Sequence, residues 1–192
     1  APVSPRYIQP EHIAAIVDEL PLASLASKAI TCVGVFVNAD LTTIVETVSI
    51  GKLTSVQLHG TESPQFCQTL RQTLPHIEII KAFRIQTPEN LAQIVPYESC
   101  VDTLLLDAYH PHLMGGTGLT IDWSVLQRFR PCRPWLLAGG LTPTNIATAL
   151  NQLTPKGIDL SSGLERAPGD KDLEKVAALF QQLSFQQLSA KV

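Results

Sequence analysis

The sequence predicts an α/β fold in which parallel strands alternate with helices. Two kinds of segment alternate along the 192 residues. One kind is short, apolar and rich in β-branched residues, which is typical of strands buried on both faces of a parallel sheet. The other kind repeats apolar residues with the period of a helix. Because most of these pairs recur at roughly two dozen residues, we expect compact βα units with right-handed crossovers.

Six segments have the strand pattern and are too short for typical helices. They cover residues 31–38, 55–60, 77–85, 101–109, 134–141 and 157–163. Apolar side chains spaced at i, i+3, i+4 and i+7 predict four helices around them. The predicted apolar sides are Ile13, Ile16, Val17 and Leu20; Leu41, Ile44, Val45 and Val48; Ile146, Ala149, Leu150 and Leu153; and Leu173, Val176, Ala177, Phe180 and Leu183.

Several helix starts are marked by a hydroxyl residue that precedes a proline. A hydroxyl can cap the first turn, and proline suits the first helical position because it has no N–H to leave unpaired. Ser63-Pro64, Thr87-Pro88 and Thr142-Pro143 have this pattern, and Gln9-Pro10 is a weaker version.

The polar residues favour a closed (β/α)8 barrel over an open doubly wound sheet. The GxGxxG fingerprint of dinucleotide-binding sheets is absent. Polar residues or glycines instead follow one strand after another, and in a barrel these carboxyl ends converge on one rim. They are Asn38, His59, Arg84, Asp107, Gly139, Gly140, Ser161 and Ser162.

Six strands do not close an eight-stranded barrel. We therefore expect a single domain over residues 1–192 that holds strands 3–8 of the barrel. Roughly 30–40 residues would then precede Ala1, given the usual size of a βα unit. An open sheet would expose its edges, so we expect poor solubility or association.

The composition of the chain limits the kinds of function that it can have. The net charge is −3 and no basic run exists, which argues against nucleic acid as a partner. No apolar run has membrane-spanning length and the first residues have no signal-peptide layout. Four widely spaced cysteines predict buried, reduced thiols of a cytosolic protein. The histidines lack metal-ligand spacing, so we expect no metal.

The last two strands predict a phosphate site. Loops after the final strands of a barrel commonly bind phosphate, and glycine lets backbone N–H groups approach an anion. The predicted cradle is Gly139, Gly140, Ser161, Ser162 and Gly163, with a short helix starting after Gly163. Each motif alone is more often a turn, but the two together favour a phosphate. No Walker motif is present, which favours a sugar phosphate.

Motifs along the whole chain resemble the phosphoribosylanthranilate isomerase family. They include SPRYI (4–8), VQLHG (56–60), LLLDAY (104–109), LAGGLTPTN (137–145) and GIDLSSGLERAPGDKD (157–172). The resemblance implies a cofactor-free Amadori rearrangement of a small-molecule substrate, phosphoribosylanthranilate, in tryptophan biosynthesis. It also implies a monomer or a homodimer.

Site residues follow from the resemblance. Asp107 matches the general acid, and the leucines before it would raise its pKa by desolvation. Arg6 matches the arginine that holds the anthranilate carboxylate. Gln57, His59 and Asp159 would lie on the same rim, although His59 is equally well explained as a structural histidine. The loop at 115–118 would cover the substrate, and Asp122 would cap a helix.

One departure from the family pattern stands out. The family's general base is a cysteine in a KxCG motif on the first strand, and none of the four cysteines here replaces it. We expect that motif in the segment before Ala1. Two other readings stay open: another phosphate-binding barrel enzyme, such as an indole-glycerol-phosphate synthase or a ribulose-phosphate epimerase, and a non-catalytic incomplete barrel that binds a sugar phosphate.

Overall fold

A computed structural model describes residues 4–21, 30–107 and 123–189 of the chain. Six strands form a sheet and follow the order of the sequence. They are β1 (Val33–Phe36), β2 (Ser55–Leu58), β3 (Glu78–Arg84), β4 (Thr103–Asp107), β5 (Trp135–Ala138) and β6 (Gly157–Ile158). The helices are α1 (Pro10–Asp18), α2 (Leu41–Ile50), α3 (Pro64–Thr73), α4 (Ile146–Gln152) and α5 (Leu173–Ser189). A hairpin of β7 (Glu165–Ala167) and β8 (Asp170–Lys171) precedes α5.

The strands pair in parallel, as the sequence pattern predicts. Val35 lies opposite Gln57 in the β1–β2 pair, and Gln57 lies opposite Ile80 in the β2–β3 pair. Leu137 lies opposite Ile158 in the β5–β6 pair. Because parallel strands end on the same edge, the residues after β1 and β2 are neighbours, and so are those after β5 and β6.

Contacts within the chain define two compact units. The first unit contains residues 1–82 and 95–104, and the second contains residues 83–94 and 105–192. Strands β3 and β4 contribute residues to both units. The single domain expected over residues 1–192 stays a prediction.

In the first unit, α2 and α3 begin where capping chemistry allows. The Asp40 side chain accepts a hydrogen bond from the N–H of Thr43 at 2.7 Å, and Ser63 caps the N–H of Phe66 at 3.2 Å. The hydrogen bonds from Thr43 lower the pKa of Asp40. Pro64 opens α3, as expected for Ser63-Pro64. The helices bury Ile44 and Leu70 against the sheet side of the unit.

Polar side chains join the amino ends of β2, β3 and β4. The Glu78 carboxylate accepts hydrogen bonds from the hydroxyls of Ser55 at 2.7 Å and Thr103 at 2.9 Å. Arg71 of α3 forms an ion pair with Asp102 and also donates to a carbonyl at 3.0 Å. These partly buried groups have hydrogen-bond partners, as burial requires. This end of the strands is therefore built for stability.

Strand β1 stands at one end of the strand order. Its Val33 and Val35 side chains are exposed, as is Val37 directly after it. Exposed apolar side chains on a terminal strand favour pairing with another chain. The association expected from that edge stays a prediction.

In the second unit, the core is formed by Leu105, Leu106 and Leu137, with Ile146 and Ala149 from α4. The expected apolar side of α4 is confirmed, but its expected start at Thr142-Pro143 is wrong. Residues 143–145 form a turn and α4 begins at Ile146.

The side chain of Asn145 explains this late start. Its amide accepts the N–H of Thr142 at 2.9 Å and donates to the carbonyl of Gly140 at 3.0 Å, which fixes the turn before the helix. An asparagine that bonds to nearby backbone in this way stabilises a turn in competition with the helix.

The apolar side predicted for α5 is wrong in part. Leu173 and Phe180 are 77% and 63% exposed, while Leu179 is buried. The helix contacts α4 and the turn at Ser162–Leu164, and this packing turns Leu179 inward. The apolar side predicted for α1 also differs in part: Ile16 is exposed, and Val17 is the residue that α1 buries.

The cysteines do not share one environment. Cys67 and Cys100 are buried, Cys32 is half-buried and Cys132 is exposed in the loop before β5. The prediction of four buried thiols is therefore wrong for Cys132, because the loop that carries it lies at the surface. Among the residues that the structure describes, all helices are too short or too polar to cross a membrane.

Candidate functional site

The loop after β5 is built on two glycines. Gly139 and Gly140 have φ values of 94° and 62°, in the left-handed region that side chains with a Cβ rarely adopt. The carbonyl of Gly140 is held by the amide of Asn145. The chain thus turns sharply at the carboxyl end of β5 and exposes backbone at the place where a phosphate is expected.

The loop after β6 touches the loop after β5 through Gly163. A Cβ atom placed on Gly163 would lie 1.8 Å from the carbonyl oxygen of Leu141, so only glycine fits. The two strands that lead into these loops are joined at the same end, since the N–H of Asp159 donates to the carbonyl of Leu137 at 2.8 Å. The five residues predicted as a phosphate cradle therefore lie in two loops that are in direct contact.

The short helix lies slightly earlier than predicted. A single 3-10 turn spans Ser162–Leu164, and the chain then enters β7 rather than a helix. The hairpin explains the difference, because the ammonium of Lys171 in β8 donates to the carbonyl of Ser161 and to the Glu165 carboxylate, each at 3.0 Å. Lys171 lies within the motif at 157–172, but the sequence pattern predicts no role for it; in the structure it ties the serine loop to the hairpin.

Two carboxylates follow strands of the second unit. Asp107 ends β4 directly after three fully buried leucines, and its carbonyl accepts the N–H of Ile85 at 2.9 Å. Asp159 comes directly after β6. Both residues are half-buried, so each carboxylate stands at the border between the apolar strand and solvent.

The remaining predicted residues belong to the first unit. Gln57 is a buried residue of β2, and His59 follows this strand, half-buried, with its N–H bonded to the carbonyl of Phe36 at 2.8 Å. Arg6 is exposed in a turn that closes between Ser4 and Tyr7 at 3.0 Å. Gln57 and His59 thus lie together on one strand and its following loop, and Arg6 lies on the amino-terminal loop.

A buried ion pair beside His59 is not among the residues that the sequence predicts for the site. Lys81 of β3 and Glu62 lie 3.2 Å apart with almost no exposed side-chain surface. The sequence carried a signal for it, namely a lysine inside the apolar run IIKAF. A charge is rarely buried without a partner, so that lysine predicts an acid nearby.

The four cysteines lie away from the carboxyl ends of the strands. Cys32 precedes β1, Cys67 lies in α3, Cys100 precedes β4 and Cys132 precedes β5. Their positions agree with the interpretation that none of them replaces the family's base. The loop at 115–118 and Asp122 lie outside the described residues. Within the described ranges, no three His, Cys, Asp or Glu side chains are grouped closely enough to hold a metal ion.

Comparisons with known proteins show which sequences the chain is similar to. Residues 1–182 match the sequence model of the family described as N-(5'phosphoribosyl)anthranilate (PRA) isomerase. A protein of Acaryochloris marina named N-(5'-phosphoribosyl)anthranilate isomerase is 56% identical over 180 residues, which are 94% of this chain and 83% of that protein.

Solved structures show the same likeness. Phosphoribosyl anthranilate isomerase from Thermotoga maritima superimposes with a TM-score of 0.79 at 34% identity, covering 94% of this chain and 83% of that one. A structure of the enzyme in complex with reduced 1-(o-carboxyphenylamino)-1-deoxyribulose 5-phosphate gives a TM-score of 0.76 at 32% identity, over 94% and 82% of the two chains. These likenesses confirm the α/β-barrel class that the sequence predicts.

Proposed function

The chain belongs to the N-(5'-phosphoribosyl)anthranilate isomerase family, and on that premise we propose how its residues divide the work of the reaction. The function is the rearrangement of N-(5-phosphoribosyl)anthranilate to 1-(2-carboxyphenylamino)-1-deoxyribulose 5-phosphate in L-tryptophan biosynthesis. This is an isomerisation from an aldose to a ketose. The proposals below concern the residues that bind the substrate and move its protons.

The phosphate of the substrate binds where the loops after β5 and β6 meet. The contact between Gly163 and the Leu141 carbonyl is the observation that supports this proposal, because it shows that the two glycine-bearing loops meet. Backbone N–H groups at Gly139, Gly140 and Gly163 and the hydroxyls of Ser161 and Ser162 supply the donors.

Asp107 acts as the general acid. It donates a proton to the furanose ring oxygen, the bond between that oxygen and C1′ breaks, and the ring opens to a Schiff base. A base then removes the proton from C2′, and the resulting enolamine becomes the ketone. Asp107 suits the first step because it ends a strand of buried leucines and still reaches solvent at its half-buried position. None of the four cysteines is proposed as the base, given where they lie.

Arg6 holds the carboxylate of the anthranilate ring. A guanidinium binds a carboxylate through two parallel hydrogen bonds, which fixes the orientation of the ring as well as its charge. Its exposed position in the amino-terminal turn leaves it accessible to a ligand. Gln57, His59 and Asp159 are further substrate-binding residues in this proposal.

Turnover of the protein, followed as the loss of the fluorescence of phosphoribosylanthranilate, tests these roles. Asp107→Asn removes the acid and is expected to lower kcat by about 10²- to 10⁴-fold, the range of general acid catalysis. Arg6→Met is expected mainly to raise KM. Asp170→Asn, on the exposed hairpin, is the matched control and should leave both constants unchanged. An unchanged kcat in Asp107→Asn would remove Asp107 from the mechanism.

Binding without turnover would favour the non-catalytic alternative. We also propose that the protein acts in the cytoplasm as a monomer or homodimer. Sedimentation equilibrium distinguishes the two assemblies.

A further inference from the structure

A buried ion pair joins strand β3 to the loops that follow β1 and β2 in the first unit. Lys81 lies in the middle of β3, and its ammonium is 3.2 Å from the carboxylate of Glu62. The two side chains are 3% and 2% exposed. Neither residue is assigned a role in the mechanism proposed above, and a buried pair of this kind is not explained by stability, since apolar replacements are often neutral or stabilising.

The ammonium of Lys81 donates hydrogen bonds to backbone carbonyls on both sides of His59. It donates to the carbonyl of Leu58 at 3.2 Å and to the carbonyl of Gly60 at 2.9 Å. A third bond reaches the carbonyl of Ala82 at 3.0 Å. An ammonium has three N–H groups, so these carbonyls use its donors fully while Glu62 balances its charge.

The carboxylate of Glu62 accepts hydrogen bonds from backbone N–H groups, including one of the same loop. It accepts the N–H of Gly60 at 3.0 Å and the N–H of Asn38, after β1, at 2.8 Å. The hydroxyl of Tyr97 donates to the Glu62 carbonyl at 2.9 Å, and the Tyr97 ring centre lies 5.9 Å from the Lys81 ammonium. Each end of the ion pair is thus fixed by further contacts.

Asn38 interlocks the first loop with the second. Its backbone is left-handed, with a φ of 51°. Its side-chain oxygen accepts the N–H of Thr61 at 2.7 Å, and a Cβ on Gly60 would lie 2.3 Å from that oxygen. Hydrogen bonds and close contacts therefore hold the segment from Leu58 to Thr61 on several sides.

We propose that Lys81 and Glu62 are positioning residues that hold the His59 side chain in the orientation that the isomerisation requires. This inference rests on the proposed function, in which His59 lies on the substrate rim. The backbone around His59 is held at four groups: the Leu58 carbonyl, the His59 N–H, the Gly60 N–H and the Gly60 carbonyl. These backbone contacts, called the clamp below, fix the part of the main chain from which the imidazole side chain of His59 extends. Small errors in the position of a group at an active site lower catalytic rates strongly.

A double-mutant cycle tests whether Lys81 acts through His59. Lys81→Met keeps most of the length of the side chain and removes its ammonium group. In the parent protein it is expected to lower kcat/KM by about 10- to 100-fold, as misplacement of a catalytic group does. In a His59→Ala background the same change should cost less than about threefold, because the group that Lys81 positions is gone. Equal losses in both backgrounds would overturn the proposal.

Two further variants separate positioning from loss of the fold. Lys81→Met/Glu62→Gln leaves no uncompensated buried charge and keeps a carbonyl to accept the Gly60 N–H, so it should fold while still losing kcat/KM in a His59-dependent way. Lys52→Met breaks an exposed ion pair with Asp18 in the same unit and should change neither constant. A folded double variant with parental kcat/KM would overturn the proposal.

A readout without turnover distinguishes failure of this inference from failure of the proposed function. Nitrogen NMR of the imidazole follows the His59 ring directly, and reduced 1-(o-carboxyphenylamino)-1-deoxyribulose 5-phosphate serves as the binding probe in calorimetry. We expect the double variant to shift the His59 resonances and to weaken binding of the probe. If the parent protein binds the probe but does not turn over substrate, the proposed catalytic roles are wrong. In that case, a shift of the His59 signals in the double variant would still support the clamp. Unshifted His59 signals and unchanged affinity overturn it.

Discussion

Two regions at the carboxyl ends of the strands are held in different ways. After β1 and β2 the loops are held by buried side-chain charge, since Lys81 and Glu62 bind backbone groups on both sides of the turn. After β5 and β6 the loops are held by the backbone itself, with left-handed glycines and one close approach at Gly163. We expect the first arrangement to be destabilised by removal of a charged side-chain group, and the second by addition of a side-chain carbon.

The largest effect is expected from removing one charge of the buried pair. Lys81→Met leaves the Glu62 carboxylate buried and unpaired, which should lower the free energy of unfolding by about 3–5 kcal/mol. Lys81→Met/Glu62→Gln should recover a large part of that loss, because no charge remains buried. Urea unfolding of the three proteins measures it. A double variant less stable than Lys81→Met would show that charge is not what holds this region.

The next largest effect is expected from adding one carbon to the backbone-built region. Gly163→Ala places a Cβ 1.8 Å from the Leu141 carbonyl, and the two loops must separate. We expect a loss of about 1–3 kcal/mol, as for overpacking, together with weaker binding of inorganic phosphate in calorimetry.

The control for this variant is Gly169→Ala, at a φ of 87° in the hairpin turn. It should cost about 1–2 kcal/mol of strain and leave phosphate affinity unchanged. Equal phosphate affinities in Gly163→Ala and the parent would show that loop contact does not shape the cradle.

Titration of Cys67 gives a pH-dependent effect in the charged region. Burial raises the pKa of the Cys67 thiol from 9.0 to about 12, and the neighbouring Cys100 adds to the shift. Because the folded protein favours the neutral thiol, the stabilisation is complete below pH 9 and is lost as the pH rises toward about 12. The slope is at most about 1.4 kcal/mol per pH unit.

Cys67→Ala should flatten the fall in unfolding free energy between pH 9 and 11. Tyr97, whose pKa is also raised mainly by burial, keeps part of the slope in both proteins. Parallel curves for Cys67→Ala and the parent would mean that this thiol does not titrate differently on unfolding.

The smallest effect is expected from an exposed ion pair. Lys52 and Asp18 lie 2.5 Å apart with more than half of each side chain exposed. Lys52→Met should change the unfolding free energy by less than about 1 kcal/mol, because solvent and salt screen the pair. If Lys52→Met lowered the unfolding free energy about as much as Lys81→Met, burial would not be the reason that breaking the Glu62–Lys81 pair is destabilising.

Much of the candidate site could be read from the sequence because its residues mark strand ends. Asp107, Asp159 and the glycines each end or follow an apolar run. The structure places Asp107 at the end of β4, Asp159 directly after β6 and the glycines after β5. The buried pair was harder to predict. Lys81 signals a missing partner, but several acids in the chain could have supplied it, and only the pairing of β2 with β3 selects Glu62.

Local chemistry by itself determined the strand segments, the capped start of α3 and the turn glycines. These features depend on atoms within a few residues of one another, as when Ser63 caps Phe66. The tertiary structure decided which side of α5 is buried, where α4 begins and why Gly163 must be glycine. Each of these depends on a group distant in the sequence or on the packing of a neighbouring element, such as the Leu141 carbonyl against Gly163, and periodicity within one segment carries no information about it.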